Sequence, residues 1–419
     1  MLYVLLTEHN AKLFKTVRTN ISMAEIDSNI FSKVVLESSK HLSSVIELKT
    51  RRDLYDHISE PTDYFVGLKG LRGVGKTTLL LQLATRYKNP IYFSADAVYL
   101  GNTSIYDLVK HAVQNGHDSF FIDEIHYKKN WTYDLKTLYD EGVRNLFFSG
   151  SSAIELKKGA DLSRRVVLYT LPPATFKEYL LIKKGIALPS LTLRELIEKR
   201  KDILQKYSEA YTYFEEYLAY GGFLYDRKEF DLKLLNSIQK IASVDLAYLR
   251  DININVESDV IKIFNLISTT ASFELNYSKL SNSLGLSRNT TMKLLADMEK
   301  AGCVFICSPC KKGYALIRNE PKIFLPIPFT SFFSRQLVYA PNIGRLREEF
   351  FISHINKVCY LKTDRGKKTA DFNVGEYTIE IGGVSKSSIQ NPDYIAVDGL
   401  EISENKIPLF LFGFLRFVQ

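Results

Sequence analysis

The strongest signal in the sequence is one eight-residue stretch, Gly70-Leu71-Arg72-Gly73-Val74-Gly75-Lys76-Thr77. It matches the pattern G-x-x-x-x-G-K-[ST] at every position, and it lies between a β-like run and a helix-like run. The glycines let the backbone turn its N–H groups toward phosphate oxygens, and the positive end of the following helix favours negative charge. We expect Lys76 to reach the β- and γ-phosphates of ATP and the Thr77 hydroxyl to bind Mg²⁺. The residues expected to bind the nucleotide are Gly70, Arg72, Gly73, Val74, Gly75, Lys76, Thr77 and Thr78.

Two adjacent carboxylates, Asp123 and Glu124, follow the apolar run 120–122. Side chains alternate along a strand, so adjacent acids at its end can serve different tasks. We expect Asp123 to bind Mg²⁺ together with Thr77, and Glu124 to act as the general base that polarises the attacking water. An acid beside the metal-binding Asp favours hydrolysis over phosphoryl transfer to a second substrate. The alternative is that the two acids only cap the helix that follows.

Short apolar runs alternate with helix-length amphipathic stretches between residues 63 and 169. The runs are 64–68, 91–93, 120–122, 146–148 and 166–169. This alternation is typical of a parallel sheet that helices cover on both faces, so the fold class is α/β. The fourth run leads into Ser149, the best candidate for a residue that senses the γ-phosphate or the water. Small polar residues at strand ends are also common turn formers, which is the alternative for Ser149.

Changes in periodicity divide the 419-residue chain into three compact units, an N-terminal segment and a helical connector. The predicted parts are an N-terminal helical segment (1–60), a P-loop core (61–171), a helical lid or connector (172–254), a winged helix (255–330) and a small α/β domain (340–419).

The composition is that of an ordinary globular protein, with 46% hydrophobic and 24% charged residues, and it excludes disordered, collagen-like and coiled-coil classes. No apolar run approaches the length of a membrane span, so we expect a soluble, cytoplasmic protein with no membrane partner.

Four cysteines do not make a disulfide framework in a chain this long. Cys303, Cys307 and Cys310 are spaced like cluster ligands, but they lie in an alternating segment and we do not expect them to bind metal. The net charge of +8 favours the binding of polyanionic partners.

Further segments extend the two nucleotide motifs: Asp123-Glu124-Ile125-His126, Trp131, 135–140, Ser149-Gly150-Ser151-Ser152 and 214–223. Together they resemble prokaryotic AAA-type ATPases with a C-terminal domain of restriction-endonuclease-like fold. The resemblance covers nearly the whole chain from Arg52 onward. It implies a P-loop NTPase sheet in which the two nucleotide motifs occupy neighbouring strands.

The same resemblance implies an arginine shortly after the serine-rich turn, where Arg164 and Arg165 stand. Either would contact the γ-phosphate, in cis or from a neighbouring subunit of a homo-oligomer, where such a cation contributes about 10³ or more in rate. Alternatively, both are surface or structural charges. The choice between the two arginines is left open.

Two short helices joined by a tight turn are predicted over 277–284 and 288–301, with Gly285-Leu286-Ser287 between them. This is a helix-turn-helix signature, and the alternating segments 304–307 and 311–316 would form the hairpin wing. Residues 277–322 carry eight basic and three acidic side chains. Double-stranded DNA is therefore an expected partner, although winged helices also serve as packing modules. The expected DNA contacts are Arg288, Asn289, Thr290 and Lys293 on bases, and Lys311 and Lys312 on phosphates.

The C-terminal unit resembles the endonuclease-like core, in which Glu348, Asp371 and Glu380 would gather a divalent metal. The expected lysine two residues after Glu380 is missing, because Gly382-Gly383 stands there and Lys386 follows later. We therefore expect a domain that is inactive or serves only in recognition. The three carboxylates are alternatively a structural ion-pair set.

Three functions remain compatible with the sequence. The first is an ATP-hydrolysing AAA-type switch or remodeller with roles for Lys76, Thr77, Asp123, Glu124 and Ser149. The second is an ATP-dependent nuclease with a metal site in the C-terminal unit. The third is a non-hydrolysing DNA- or protein-binding module that holds ATP as a structural ligand.

Overall fold

The computed structural model describes eight stretches of the chain. They are residues 27–58, 63–151, 162–246, 256–270, 276–311, 320–361, 370–383 and 391–416. The first 26 residues of the predicted N-terminal segment lie outside them.

A five-stranded parallel sheet lies at the centre of the N-terminal half. Its strands are β1 (Phe65–Lys69), β2 (Pro90–Ser94), β3 (Ser119–Asp123), β4 (Leu146–Gly150) and β5 (Val166–Thr170). They lie in the order β2-β3-β4-β1-β5, and every pair is parallel. The five predicted apolar runs each form one of these strands, so the predicted parallel sheet is confirmed.

The two nucleotide motifs follow β1 and β3, and these strands are not neighbours. β4 lies between them and pairs with both. The expectation of neighbouring strands is therefore wrong. The motifs still meet, because the carboxyl ends of β1, β3 and β4 lie at the same edge of the sheet.

Helices cover both faces of the sheet, and the strands alternate between two hydrophobic cores. Val66 and Leu68 of β1 face one core, and Phe65 faces the other. The helices of this half are α1 (Ser28–Val45), α2 (Leu54–His57), α3 (Lys76–Ala84), α4 (Ile105–Gln114) and α5 (Trp131–Asp140). The near-continuous apolar character of these strands predicts that both faces of the sheet are buried.

The region after β5 is mostly helical, as predicted. Its helices are α6 (Phe176–Tyr179), α7 (Leu193–Tyr207), α8 (Phe214–Tyr220), α9 (Phe230–Lys240), α10 (Val256–Thr269), α11 (Tyr277–Leu284) and α12 (Arg288–Lys300). A π-helical turn, Ile241–Asp245, continues α9.

The predicted helix pair is present as α11 and α12. Gly285 ends α11 in the left-handed conformation (φ 68°), and the Ser287 side chain caps α12 by accepting from the Thr290 N–H. Strand β6 (Phe305–Cys307) follows and pairs antiparallel with β7 (Lys322–Phe324). Most of the predicted second wing strand, from Lys312 onward, lies outside the described residues.

The inner face of α12 packs on the phosphate-loop side of the sheet. Leu294, Leu295 and Met298 share one hydrophobic core with Leu71 and Val74 of the Gly-rich loop. Connector residues of the same core are Phe223, Phe230, Leu234, Ile238, Ile241 and Ala242. The loop, the connector and the helix pair are thus joined by continuous apolar packing.

The C-terminal unit is built on a second five-stranded sheet. The helix α13 (Phe329–Gln336) precedes this unit, and its phenylalanines pack in the core that the loop and the connector share. The unit contains α14 (Ile343–His354), β8 (Val358–Tyr360), β9 (Phe372–Val374), β10 (Tyr377–Gly382), β11 (Tyr394–Val397) and β12 (Lys406–Pro408). The strand order is β12-β11-β10-β9-β8. Strands β10, β11 and β12 run parallel, and β8, β9 and β10 form an antiparallel meander.

A disulfide between Cys310 and Cys359 joins the segment after β6 to strand β8. The sequence predicted no disulfide framework, and nothing in it indicated this single pair. Residues 49 positions apart are brought together because Pro309 and Tyr360 form a parallel β-bridge beside them. Cys303 and Cys307 are free and buried.

Within the stretches given above, no helix combines the length and the apolar character that crossing a bilayer would require.

Removal of the disulfide is expected to destabilise the protein. Closing a loop of this size removes unfolded-state entropy worth about 2–4 kcal/mol. We expect the double variant Cys310→Ser/Cys359→Ser to melt at a lower temperature than the oxidised wild type in differential scanning calorimetry. The wild type should lose the same stability in a reducing agent, whereas the double variant should not respond. Equal melting temperatures for oxidised wild type and variant would contradict this contribution.

Candidate active site

The loop between β1 and α3 has the backbone that the sequence pattern predicts. Gly73 and Gly75 have φ values of 84° and 97°, which side-chain-bearing residues rarely adopt. Gly75 is the residue before the first turn of α3. A Cβ at Gly73 would lie 1.6 Å from the Tyr225 hydroxyl, so the connector packs tightly on the loop.

Lys76 is buried at the start of α3, with its side chain turned back along the loop. Its Nζ donates to the carbonyl oxygens of Gly70 (2.9 Å) and Leu71 (3.0 Å). Burial lowers the pKa of Lys76, although Glu124 and Asp123 act in the opposite direction. The ammonium is therefore held where a phosphate bound by the loop would meet it. Thr77 and Thr78 are exposed beside it.

Asp123 collects hydrogen bonds from three elements at the edge of the sheet. Its Oδ2 accepts from the Thr77 hydroxyl (2.6 Å) and the Tyr92 hydroxyl (3.2 Å). Its Oδ1 accepts from the Ser149 hydroxyl and from the Glu124 N–H (3.1 Å). The predicted pair Thr77 and Asp123 is thus in direct contact.

The oxygens of Thr77 and Asp123 are the hard ligands that Mg²⁺ prefers, and Mg²⁺ commonly takes few ligands from the protein. The donor set fits this ion, and these two side chains would hold it. Bound Mg²⁺ would neutralise charge on the phosphates.

Ser149 lies between the two motifs and is fully buried. Besides donating to Asp123, its hydroxyl accepts from the Glu124 N–H at 3.3 Å. The residue expected to act as a sensor therefore orients both acids from β4. Tyr92, which no sequence motif indicated, performs a similar task from β2. No local signal distinguishes its ring from the apolar residues of that strand.

Glu124 has a left-handed backbone (φ 49°), which turns its side chain away from the strand direction. Burial raises the pKa of its carboxyl group, while Lys76 opposes the shift. Oε2 is buried and lies 3.4 Å from Nδ1 of His126. Burial, with the charges of Arg72 and Lys76, lowers the pKa of His126 to about 4, so the imidazole is neutral at pH 7. Glu124 is thus a carboxylate of raised basicity at the strand end.

Arg72 reaches from the Gly-rich loop to the helical connector. Its Nε and Nη2 bind the Asp245 carboxylate at 3.0–3.3 Å, and its Nη1 lies 4.0 Å from Oε1 of Glu124. Burial raises the pKa of Asp245, and the nearby Arg72 opposes that shift. The loop arginine therefore stands between the candidate base and an acid from a distant part of the chain.

Arg52 supports the loop from outside, and no sequence motif indicated it either. Its guanidinium donates to the carbonyl oxygens of Val74 (2.6 Å) and Pro172 (2.7 Å). It also pairs with Glu178 at 2.8 Å, with both side chains about 5% exposed or less. Burial alone would raise the pKa of Glu178, but Arg52 lowers it. The buried pair fixes the loop against α6.

Arg164 and Arg165 lie at the wrong end of the sheet for a contact in cis. Both precede β5, whereas the Gly-rich loop follows Lys69, which is level with Thr170 at the other end of β5. A five-residue strand separates the two edges by about 13 Å. Arg165 instead pairs with Asp140 at 2.8 Å, and Arg164 is exposed. The option of a contact in cis is therefore wrong for these arginines.

The residues predicted to contact DNA lie mostly on the outside of α12. Arg288, Asn289 and Lys293 are exposed, and Thr290 is half-buried beside the Ser287 cap. Lys311 is half-buried, and Lys312 lies outside the described residues.

The three acids of the C-terminal unit do not form the metal site that the resemblance implies. In the parts of the chain that the structure covers, no group of three His, Cys, Asp or Glu side chains is placed to hold a metal ion. Asp371 accepts from the backbone N–H of Ile381 at 2.8 Å, and Glu348 lies 3.9 Å from Lys322. Glu380 is buried.

Comparisons with known proteins agree with the geometry of the first unit. Residues 62–180 match the family model of an AAA domain, and residues 211–326 match a domain of unknown function, DUF8612. An uncharacterized protein, MJ1637 of Methanocaldococcus jannaschii, is 28% identical in an alignment 394 positions long that covers 83% of this chain and 83% of that protein.

Two solved structures also show similarity. AMPPCP-bound DnaA from Aquifex aeolicus is 19% identical, with 59% of this chain and 86% of that chain covered and a TM-score of 0.23. PCH-2 from C. elegans is 14% identical, with 66% of this chain and 72% of that chain covered and a TM-score of 0.22. Scores this low say nothing about how the units of this chain are arranged.

The family-model match, the parallel sheet and the meeting of Lys76, Thr77 and Asp123 at one edge lead to the same conclusion. Residues 62–180 form an AAA-type P-loop nucleotide-binding domain.

Proposed function

We propose that this protein hydrolyses ATP with Mg²⁺ and uses the nucleotide to switch the arrangement of its connector and C-terminal units. One observation carries the proposal: the Thr77 hydroxyl and the Asp123 carboxylate are 2.6 Å apart, with Glu124 adjacent and Lys76 in the loop beside them.

Each side chain has a separate task in the proposed reaction. Lys76 and the loop N–H groups hold the phosphates, and Thr77 and Asp123 hold the metal. Glu124 accepts a proton from water, whose oxygen forms a bond to the γ-phosphorus. The bond from that phosphorus to the β–γ bridging oxygen breaks with its electron pair on ADP. The products are ADP and inorganic phosphate.

The hydrophobic core connects the nucleotide site with the connector and with α12. Leu71 and Val74 of the loop pack with the connector and with the inner face of α12. A displacement of the loop on nucleotide binding or hydrolysis would therefore also displace the connector and α12, because a close-packed core is not freely deformable. For residues 340–419 we propose a recognition or structural role, supported by Gly382-Gly383 standing where the endonuclease-like core would carry a lysine.

Replacement of Glu124 is expected to separate binding from hydrolysis. The variant Glu124→Gln keeps the size of the side chain but cannot accept the proton. Its kcat should fall by about 10²- to 10⁴-fold while its affinity for MgATP stays near that of the wild type. Steady-state phosphate release and equilibrium binding of a fluorescent ATP analogue measure the two quantities.

The matched control is Glu141→Gln, which alters an acid bound to Lys110 and Tyr106 away from the loop. Its turnover should equal that of the wild type. Unchanged turnover in Glu124→Gln would rule out the assigned base. A wild type that binds MgATP tightly without turnover would favour the structural-ligand function instead.

We also propose that the unit containing α11 and α12 is a winged helix that contacts double-stranded DNA. The supporting observation is that Arg288, Asn289 and Lys293 are exposed on the outer face of α12 while its inner face is committed to the core. The start of the second helix is the part that meets DNA in this motif.

Removal of two of these cations is expected to weaken DNA binding. Arg288→Ala/Lys293→Ala should bind a duplex more weakly in fluorescence anisotropy. The logarithm of the DNA-binding constant decreases with the logarithm of the salt concentration. In the variant this slope should become less steep by about 0.9 for each phosphate that is no longer neutralised. Lys199→Ala/Lys201→Ala removes the same charge from the exposed side of α7 and should bind as the wild type does. Equally weakened binding in both double variants would mean that only net charge matters.

A further inference from the structure

Arg72 is among the loop residues expected to bind the nucleotide, but it stands at a variable position of the motif, which gives its side chain no task. It belongs to the phosphate-binding loop, yet its guanidinium extends to the candidate base, with Nη1 at 4.0 Å from Oε1 of Glu124. A general base has to lie within hydrogen-bond reach of the water that attacks the γ-phosphorus. A cation this close to Glu124 therefore lies on the side of the loop where the γ-phosphate would be.

Neither the two arginines considered for this task nor the arginine that supports the loop is placed to perform it. Arg164 and Arg165 stand at the opposite edge of the sheet, and Arg52 is turned toward Glu178 and backbone carbonyls. Arg72 has the planar, two-donor fork that phosphate oxygens accept. The side chain is half-buried, so water screens its charge less than it would at the surface.

The fork is held by Asp245, which lies 173 residues further along the chain. Three donor–acceptor distances of 3.0–3.3 Å make the contact bidentate. Asp245 ends the π-helical turn Ile241–Asp245, whose residues Ile241 and Ala242 pack in the same core as Leu71. The acid is thus fixed to the connector and not to the nucleotide domain.

We propose that Arg72 is a catalytic residue that contacts the γ-phosphate within its own chain, and that Asp245 competes with the phosphate for its guanidinium. The proposal rests on the proposed ATPase function and deepens it. The phosphate oxygens and the Asp245 carboxylate bind the same donors. A nucleotide with a γ-phosphate therefore releases Asp245, and with it this charged contact between the loop and the connector, while a diphosphate leaves the pair intact.

The test compares the affinities for a non-hydrolysable ATP analogue, AMPPNP, and for ADP, each with Mg²⁺. In Arg72→Ala the preference for AMPPNP over ADP should fall by about 10- to 100-fold, because the charge-assisted hydrogen bonds to the γ-phosphate can no longer form. Arg72→Lys keeps the charge without the fork and should lie between Ala and wild type. In Asp245→Asn the preference for AMPPNP should rise above that of the wild type.

The matched control for the acid is Asp231→Asn, which changes a connector acid that pairs with Arg335. Its preference should equal that of the wild type. An unchanged preference in both Arg72 variants overturns the contact with the γ-phosphate. A preference in Asp245→Asn no higher than in the wild type overturns the competition. Binding is measured without turnover, so the result stands even if the wild type does not hydrolyse ATP.

Turnover provides a second readout. Arg72→Ala should lower kcat by about 10³-fold, the contribution of a cation at the transferring phosphoryl group. Asp245→Asn should lower KM for ATP without lowering kcat. If Asp245 had only a structural role, its replacement would lower kcat or leave KM unchanged, and either result overturns the competition.

Discussion

The functional half of the molecule depends on the hydrogen bond between Thr77 and Asp123. These residues belong to different motifs, and strand β4 separates the strands that carry them. They meet because parallel strands end at one edge, where Ser149 of β4 and Tyr92 of β2 complete the same network. A buried carboxylate is tolerated only when such donors satisfy it. The network therefore fixes Asp123 and, through its backbone N–H, Glu124.

The loop contacts several segments outside the nucleotide motifs, and the proposed switch would act through these contacts. Arg52 ties the Val74 carbonyl to α6, Tyr225 packs on Gly73, and Arg72 binds Asp245. All three contacts join the loop to segments outside the central sheet. The apolar packing of Leu71 against the connector and α12 has the same effect. Charged contacts can exchange partners when phosphate arrives, whereas the apolar core keeps the units together.

The local elements could be predicted from sequence, but the contacts between distant elements could not. Apolar runs and the glycine pattern were sufficient for all five strands of the first sheet and for the pair Thr77 and Asp123. Helix bounds at Leu284 and Arg288 followed from the Gly285 and Ser287 caps. Strand order, the disulfide between Cys310 and Cys359, and the pairing of Arg72 with Asp245 depend on tertiary packing. The resemblance placed Arg165 near the nucleotide, and only the strand direction shows that it lies at the other edge.

A crystal structure with Mg²⁺ and a non-hydrolysable ATP analogue tests the central claim most directly. We predict the triphosphate along residues 70–76, with the metal beside the Thr77 hydroxyl and the Asp123 carboxylate. A triphosphate bound elsewhere, or a metal held away from both side chains, would contradict the assignment of this edge of the sheet as the hydrolytic site.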